Sequence, residues 1–72
     1  MIAHNYKNSE NNYYRMRYRS YEIWVNKSDN AYEYCLAGRI TGKLIYDSQW
    51  DKLRYNTVFN AICAAMRKAN ER

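Results

Sequence analysis

Alternating apolar and polar residues predict β-strands through much of the chain. In residues 21–26, tyrosine, isoleucine and valine alternate with glutamate, tryptophan and asparagine, the period-two pattern of a strand with one buried face. Residues 27–30 read Lys-Ser-Asp-Asn, and all four favour a turn between this run and a second alternating run over residues 31–36. The pattern therefore predicts a β-hairpin.

A further strand is predicted on each side of this hairpin. Gly38 and Gly42 bracket a reversal before residues 43–47, which again contain strand-forming residues. Upstream, the parity of the apolar positions changes near Arg19, so a turn or bulge is expected there. An extended backbone before that turn places two sets of side chains on opposite faces: Arg15, Arg17 and Arg19 on one, Tyr14, Met16 and Tyr18 on the other.

The C-terminal residues have helical periodicity instead. After a predicted loop over residues 48–55, Asn56 or Thr57 is suited to cap a helix. The apolar stripe expected to pack on the sheet follows the spacing i, i+3, i+7 and i+10: Phe59, Ile62, Met66 and Ala69, flanked by Val58 and Ala65. Basic residues in the last turn offset the negative end of the helix dipole.

These elements predict an α+β fold, an antiparallel β-meander of three to four strands with one C-terminal α-helix packed on one face. Residues 13–72 form the single domain, and the polar residues 1–12 are expected to be a flexible arm. The helix should cover the face with these residues: Tyr21, Ile23, Val25, Tyr32 or Tyr34, Leu36 and Leu44. On the other face Trp24 is either an exposed interface residue or is covered by the N-terminal segment as a fourth strand.

Composition narrows the class of protein. At 72 residues, a single core supplies only about 3–5 kcal/mol, so self-association as a homodimer is expected to add stability. The chain has no run of 18 or more apolar residues and no leader-like start, which predicts no membrane span and a location in the cytoplasm of a host cell. Two cysteines without C-x-x-C spacing are expected to be reduced packing residues.

The sequence contains no pattern for catalysis or for a cofactor. The chain has one histidine and two distant cysteines, too few ligands for a zinc site. These residues also do not indicate a nucleophile paired with a general base. Gly38 and Gly42 lack the following lysine of a phosphate loop. We therefore expect a non-enzymatic binding module with no metal or cofactor.

Charge and aromatic content indicate the chemistry of binding. The net charge is +5 and aromatic residues make up 17% of the chain, a combination that favours an anionic partner and a protein or nucleic-acid interface. Arginine forks match carboxylates and phosphates, and tyrosine and tryptophan rings fill pockets or stack on bases. The candidate binding residues are Arg15, Arg17, Tyr18, Arg19, Trp24, Lys43, Trp50 and Arg54.

The leading functional hypothesis is a protein-binding inhibitor. The length, and the β-meander followed by a helix over residues 16–70, resemble short phage-encoded anti-defence proteins, including anti-CRISPR proteins. That resemblance implies a viral or mobile-element protein that blocks a host defence complex, with a host protein or ribonucleoprotein as partner. It includes no motif, so it assigns a role to no individual residue. Many such proteins are acidic, and the basic character of this chain favours an acidic patch or an RNA-containing complex.

Two alternatives remain open. A sheet that carries aromatic residues and arginines is suited to direct nucleic-acid binding, and the layout also resembles the DNA-reading sheets of integrase arm-binding domains. A sponge for a cyclic nucleotide or a similar signal would combine tyrosine stacking with arginine–phosphate pairs at a dimer interface.

Overall fold

The computed structural model describes residues 13–72 and confirms the α+β fold. Four strands form one antiparallel sheet in the order β1-β2-β3-β4, and one helix follows them. The bounds are β1 Tyr14–Tyr18, β2 Tyr21–Ser28, β3 Ala31–Gly38, β4 Leu44–Asp47, a 3-10 helix Ser48–Asp51, and α1 Val58–Glu71. The predicted arm, residues 1–12, lies outside the described residues. Within residues 13–72 no helix is long and apolar enough to cross a membrane.

The predicted turn at Arg19 and the hairpin between β2 and β3 are both confirmed. Arg19 and Asp29 adopt left-handed backbone angles, with φ of 57° and 58°, in connections of only two residues. Because the second turn is so short, Ser28 remains paired with Ala31. Strand β2 therefore extends two residues further toward the turn than its alternating pattern predicts, and β3 extends two residues further at its opposite end.

One row of apolar side chains crosses all four strands beneath the helix. Met16 pairs with Ile23, Ile23 with Leu36, and Leu36 with Tyr46, so these four side chains share a face. Ile23 and Leu36 are fully buried and Tyr46 is nearly so. The expected core residue Leu44 is only half-buried, because the register shifts after Leu36 and Tyr46 takes the place on this face.

Thr57 begins the helix as predicted, and the predicted stripe packs on the sheet with one exception, Phe59. The Thr57 hydroxyl accepts a hydrogen bond from the Asn60 N–H at 3.0 Å, a side-chain cap. Phe59, predicted to be in the core, is 71% exposed. The buried helix residues are Ala61, Ala64, Ala65 and Ala69, and the predicted Val58, Ile62 and Met66 pack against the same core while partly buried. Large tyrosine and aliphatic side chains from the sheet fill the space, so the buried helix positions are alanines.

The sheet face opposite the helix is not an open surface, which counts against the first of the two alternatives for Trp24, an exposed interface residue. Cys35 and Ala37 are fully buried on this face, and Glu33 is 2% exposed. Trp24 is half-buried, and its indole Nε1–H donates a hydrogen bond to Glu22 Oε1 at 2.6 Å. The fourth strand that was considered is present as β1, but it lies beside β2 at the sheet edge.

Candidate functional site

A cavity opens at the end of the sheet where two connections meet. The β1–β2 turn and the β3–β4 loop together enclose about 540 Å³, within the range of ligand pockets. We call this cavity the basic cup, and its lining consists of Arg19, Ser20, Gly38, Arg39, Ile40 and Thr41. The Arg39 backbone N–H donates to the Ser20 carbonyl at 3.4 Å, which joins the two connections.

Hydrogen bonds within the β3–β4 loop fix its shape. The Gly42 N–H donates to the Gly38 carbonyl at 2.7 Å, and the Gly38 N–H donates to the Lys43 carbonyl at 2.8 Å. Gly42 has a φ of 71°, a region in which a side chain is strained. A Cβ atom at Gly38 would lie 2.8 Å from Thr41 Oγ1. Both glycines are therefore required for a closed loop that projects residues 39–41 outward.

Ile40 is at the tip of this loop and is 98% exposed. Its neighbours at the sheet end are cationic, with Arg39 beside it, Arg19 across the cup and Lys43 at the end of the loop. An exposed aliphatic side chain among cations contributes nothing to the core. This combination is typical of a contact surface, in which an apolar anchor is surrounded by charged residues.

The basic residues at this end of the sheet have no carboxylate partner among the described residues. The Arg19 Nη1–H donates to the neutral Asn70 Oδ1 at 3.2 Å, and this amide also bonds the Tyr18 hydroxyl. Among residues 13–72, no carboxylate forms an ion pair with Arg19, Arg39 or Lys43. Within the described residues the site is therefore a cluster of positive charge without an internal ion pair, which attracts anions.

The three arginines of residues 15–19 do not share one face, contrary to the expectation from their spacing. Arg15 and Arg17 pair with Trp24 and Glu22 across β1 and β2, on the face opposite the helix. Arg19 leaves that face because the chain turns there with a positive φ, and its guanidinium contacts the helix at Asn70.

Arg15 and Trp24 are joined to one carboxylate. Arg15 Nη2 lies 2.7 Å from Glu22 Oε1, the same oxygen that accepts the Trp24 indole N–H, and the guanidinium lies 5.9 Å from the indole ring centroid. The Trp24 hydrogen bond, with a further contribution from Arg15, lowers the pKa of Glu22. Arg15 and Trp24 were both predicted as binding residues, and both already have Glu22 as a partner within the sheet.

Trp50 borders a second region, between the sheet and the helix, whereas Arg54 pairs with Glu33 of the opposite sheet face. We call the cavity of this second region, of about 190 Å³, the tyrosine cavity, lined by Tyr34, Tyr46, Asp51, Leu53, Tyr55, Ala64, Arg67, Lys68 and Glu71. The Trp50 ring meets Tyr46 edge-on at 5.3 Å and is 60% exposed. Arg54 pairs with Glu33 at 3.8 Å. The predicted binding residues therefore fall into three separate groups.

Charges in the tyrosine cavity compensate one another. The Tyr46 hydroxyl donates to Asp51, Lys68 Nζ lies 4.3 Å from the centroid of the Tyr46 ring, and Lys68 pairs with Glu71 at 3.7 Å. Burial, reinforced by Asp51, raises the pKa of Tyr46 to about 12. Burial also raises the pKa of Tyr34 and of Tyr55. These phenols remain protonated at neutral pH and act as hydrogen-bonding groups of the core.

Sequence reasoning found Arg19 and Lys43 but missed Arg39 and Ile40, the other main residues of the basic end. The available signal was an isoleucine between two closely spaced glycines. A residue at the tip of so short a reversal cannot reach the core, so an apolar residue there indicates a contact surface.

Comparison with known proteins gives no match to a protein family, to a characterised protein or to a solved structure.

Proposed function

We propose that this protein is a non-enzymatic binding module that docks on an acidic protein surface through the basic end of its sheet. The observation that carries this proposal is Ile40, which is 98% exposed among cations that have no internal carboxylate partner within residues 13–72. An apolar anchor gains from burial in a partner, while Arg19, Arg39 and Lys43 supply electrostatic complementarity.

The distribution of aromatic rings favours a protein partner over nucleic acid. Base stacking requires exposed rings beside the cations, but none of the described residues that line the basic cup is aromatic. Tyr34 and Tyr46 are buried in the core, and Trp24 is half-buried and hydrogen-bonded to Glu22. A sponge for a nucleotide is disfavoured for the same reason, because the nucleotide base would find no aromatic ring to stack on among the described residues of the cup.

A small protein that docks in this way can block a larger complex by occupying part of its surface. The module contributes a preformed loop, so little conformational entropy is lost when Ile40 and Arg39 are buried. In a host cell the proposed role is inhibition of a defence complex, through an acidic patch of a protein or ribonucleoprotein. Self-association as a homodimer is part of the same proposal, because dimerisation would place two basic ends on one particle.

The test is affinity capture from bacterial lysate, with and without nuclease, using the parent and two single variants. Ile40→Asp places a negative charge in the centre of the proposed interface. Phe59→Asp makes the same kind of change at a residue that is also largely exposed, at 71%, but lies on the helix. We expect a nuclease-resistant protein to be retained by the parent and by Phe59→Asp and lost with Ile40→Asp.

Two outcomes would overturn the proposal. If capture disappears on nuclease treatment and the purified protein binds short DNA or RNA with an affinity that falls steeply with salt, the partner is nucleic acid. If Ile40→Asp captures the same protein as the parent, the interface lies elsewhere, and Trp50 on the tyrosine side is the next residue to substitute.

A further inference from the structure

We infer that the basic cup is a specific site for one carboxylate side chain, an aspartate or glutamate of the protein partner. This inference rests on the proposed function and deepens it, because it separates a shaped pocket from a diffuse positive surface. In a shaped pocket the planar fork of arginine matters, whereas in a diffuse field only the charge matters.

The two arginines of the cup are held by different parts of the fold. Arg19 belongs to the β1–β2 turn, and its guanidinium is anchored to Asn70 of the helix at 3.2 Å. Arg39 belongs to the β3–β4 loop, and its backbone is bonded to Ser20. Both side chains line the same cavity. A carboxylate that enters between them therefore meets cationic donors from two anchored segments, which reduces the entropy lost on binding.

The rest of the lining also suits an oxyanion. Thr41 Oγ1 accepts the Lys43 backbone N–H at 3.0 Å, which leaves the Thr41 hydroxyl proton to donate. The Ser20 hydroxyl is a second neutral donor in the lining. No carboxylate is among the residues that line this cup in the described part of the chain, so none of its own groups repels an anion.

The exposure of Ile40 favours a carboxylate that belongs to a protein over a free small anion. It lines the cup and yet is 98% exposed, so a free small anion would leave this side chain in water. A protein surface can supply an acidic side chain for the cup and an apolar depression for Ile40 in one contact. The inferred recognition element is therefore an acidic residue next to an apolar hollow.

The experiment uses arginine-to-lysine substitutions, which keep the positive charge and remove the planar guanidinium group. Binding of a hexaglutamate peptide is measured by NMR titration for the parent, for Arg19→Lys with Arg39→Lys, and for the control Arg17→Lys. Arg17 is exposed but lies outside the cup. We expect the double variant to bind about tenfold more weakly, the size expected for loss of one charge-assisted hydrogen bond. The Arg17→Lys control should bind as the parent does, and peptide-induced shifts should centre on residues 39–41.

The outcomes separate this inference from the proposed function. If Arg19→Lys with Arg39→Lys binds the peptide as well as the parent does, while the two alanine substitutions weaken it, the surface is diffuse. The carboxylate pocket is then refuted, and the Ile40→Asp capture result still decides the proposed function. If inorganic phosphate saturates the same amides at lower concentration than the peptide, the cup is a phosphate site and the carboxylate assignment is wrong.

Discussion

Among the residues that the structure describes, two cationic side chains line each of the basic cup and the tyrosine cavity, but acids line only the tyrosine cavity. Arg67 and Lys68 line the tyrosine cavity together with Asp51 and Glu71. Arg19 and Arg39 line the cup with hydroxyls, glycine and isoleucine. The comparison shows that the number of basic residues in a region does not identify a binding surface. What identifies it is positive charge that the fold itself does not neutralise.

The two regions also differ in what their aromatic and apolar side chains do. In the tyrosine cavity, Tyr34 stacks on Tyr46 with ring centroids 5.8 Å apart, and Tyr34 is 2% exposed. In the cup, the one large apolar side chain, Ile40, is almost fully exposed. The first region stabilises the fold, whereas the second leaves its side chains exposed, as the proposed docking requires.

The largest expected effect is a loss of stability on the tyrosine side. Tyr34→Ala removes a buried ring that touches both Tyr46 and Tyr55, and we expect it to lower the free energy of unfolding by about 3–5 kcal/mol. Tyr13→Ala removes a 57% exposed ring and serves as the control. Thermal and urea melts measure the difference. Equal midpoints for the two variants would show that the tyrosine cluster is not structural.

An intermediate effect is expected at alkaline pH. Burial raises the pKa of Tyr46 to about 12, above the unfolded value of about 10. Its contribution to stability is therefore complete below pH 10 and is lost as the pH rises through about 12. The parent should lose stability relative to Tyr46→Phe in urea melts as the pH rises from about 10 to about 12, because the unfolded chain releases the Tyr46 proton at a lower pH than the folded protein does. A difference that stays constant from pH 8 to pH 12 would contradict the raised pKa.

The smallest effect on stability is expected at the basic end. Arg39→Ala and Ile40→Asp change exposed side chains, so the free energy of unfolding should stay within about 0.5 kcal/mol of the parent value. Both should nevertheless reduce partner capture. If either variant unfolds at clearly lower urea concentration than the parent, the loop supports the fold, and the functional contrast between the two regions disappears.

Local patterns in the sequence predicted the elements well, because those elements depend on neighbouring residues. The alternation of residues 21–26 and 31–36, the turn at Arg19 and the Thr57 cap all follow from short-range preferences. The Phe59 prediction was wrong for a different reason. Helical spacing identifies several apolar faces on α1, and the space left by Tyr34 and Tyr46 decides that alanines occupy the contact.

The candidate site could be predicted only in part from the sequence. The sequence by itself determined the class of fold, the excess of basic residues and the absence of a catalytic or cofactor pattern, since these depend on composition and local periodicity. Tertiary structure alone decided which cations are neutralised. Arg15 pairs with Glu22 across two strands, whereas Arg19 and Arg39 line one cavity between two distant connections. Ion pairing depends on distances of a few ångströms, and residues far apart in sequence acquire those distances only when the sheet register is set.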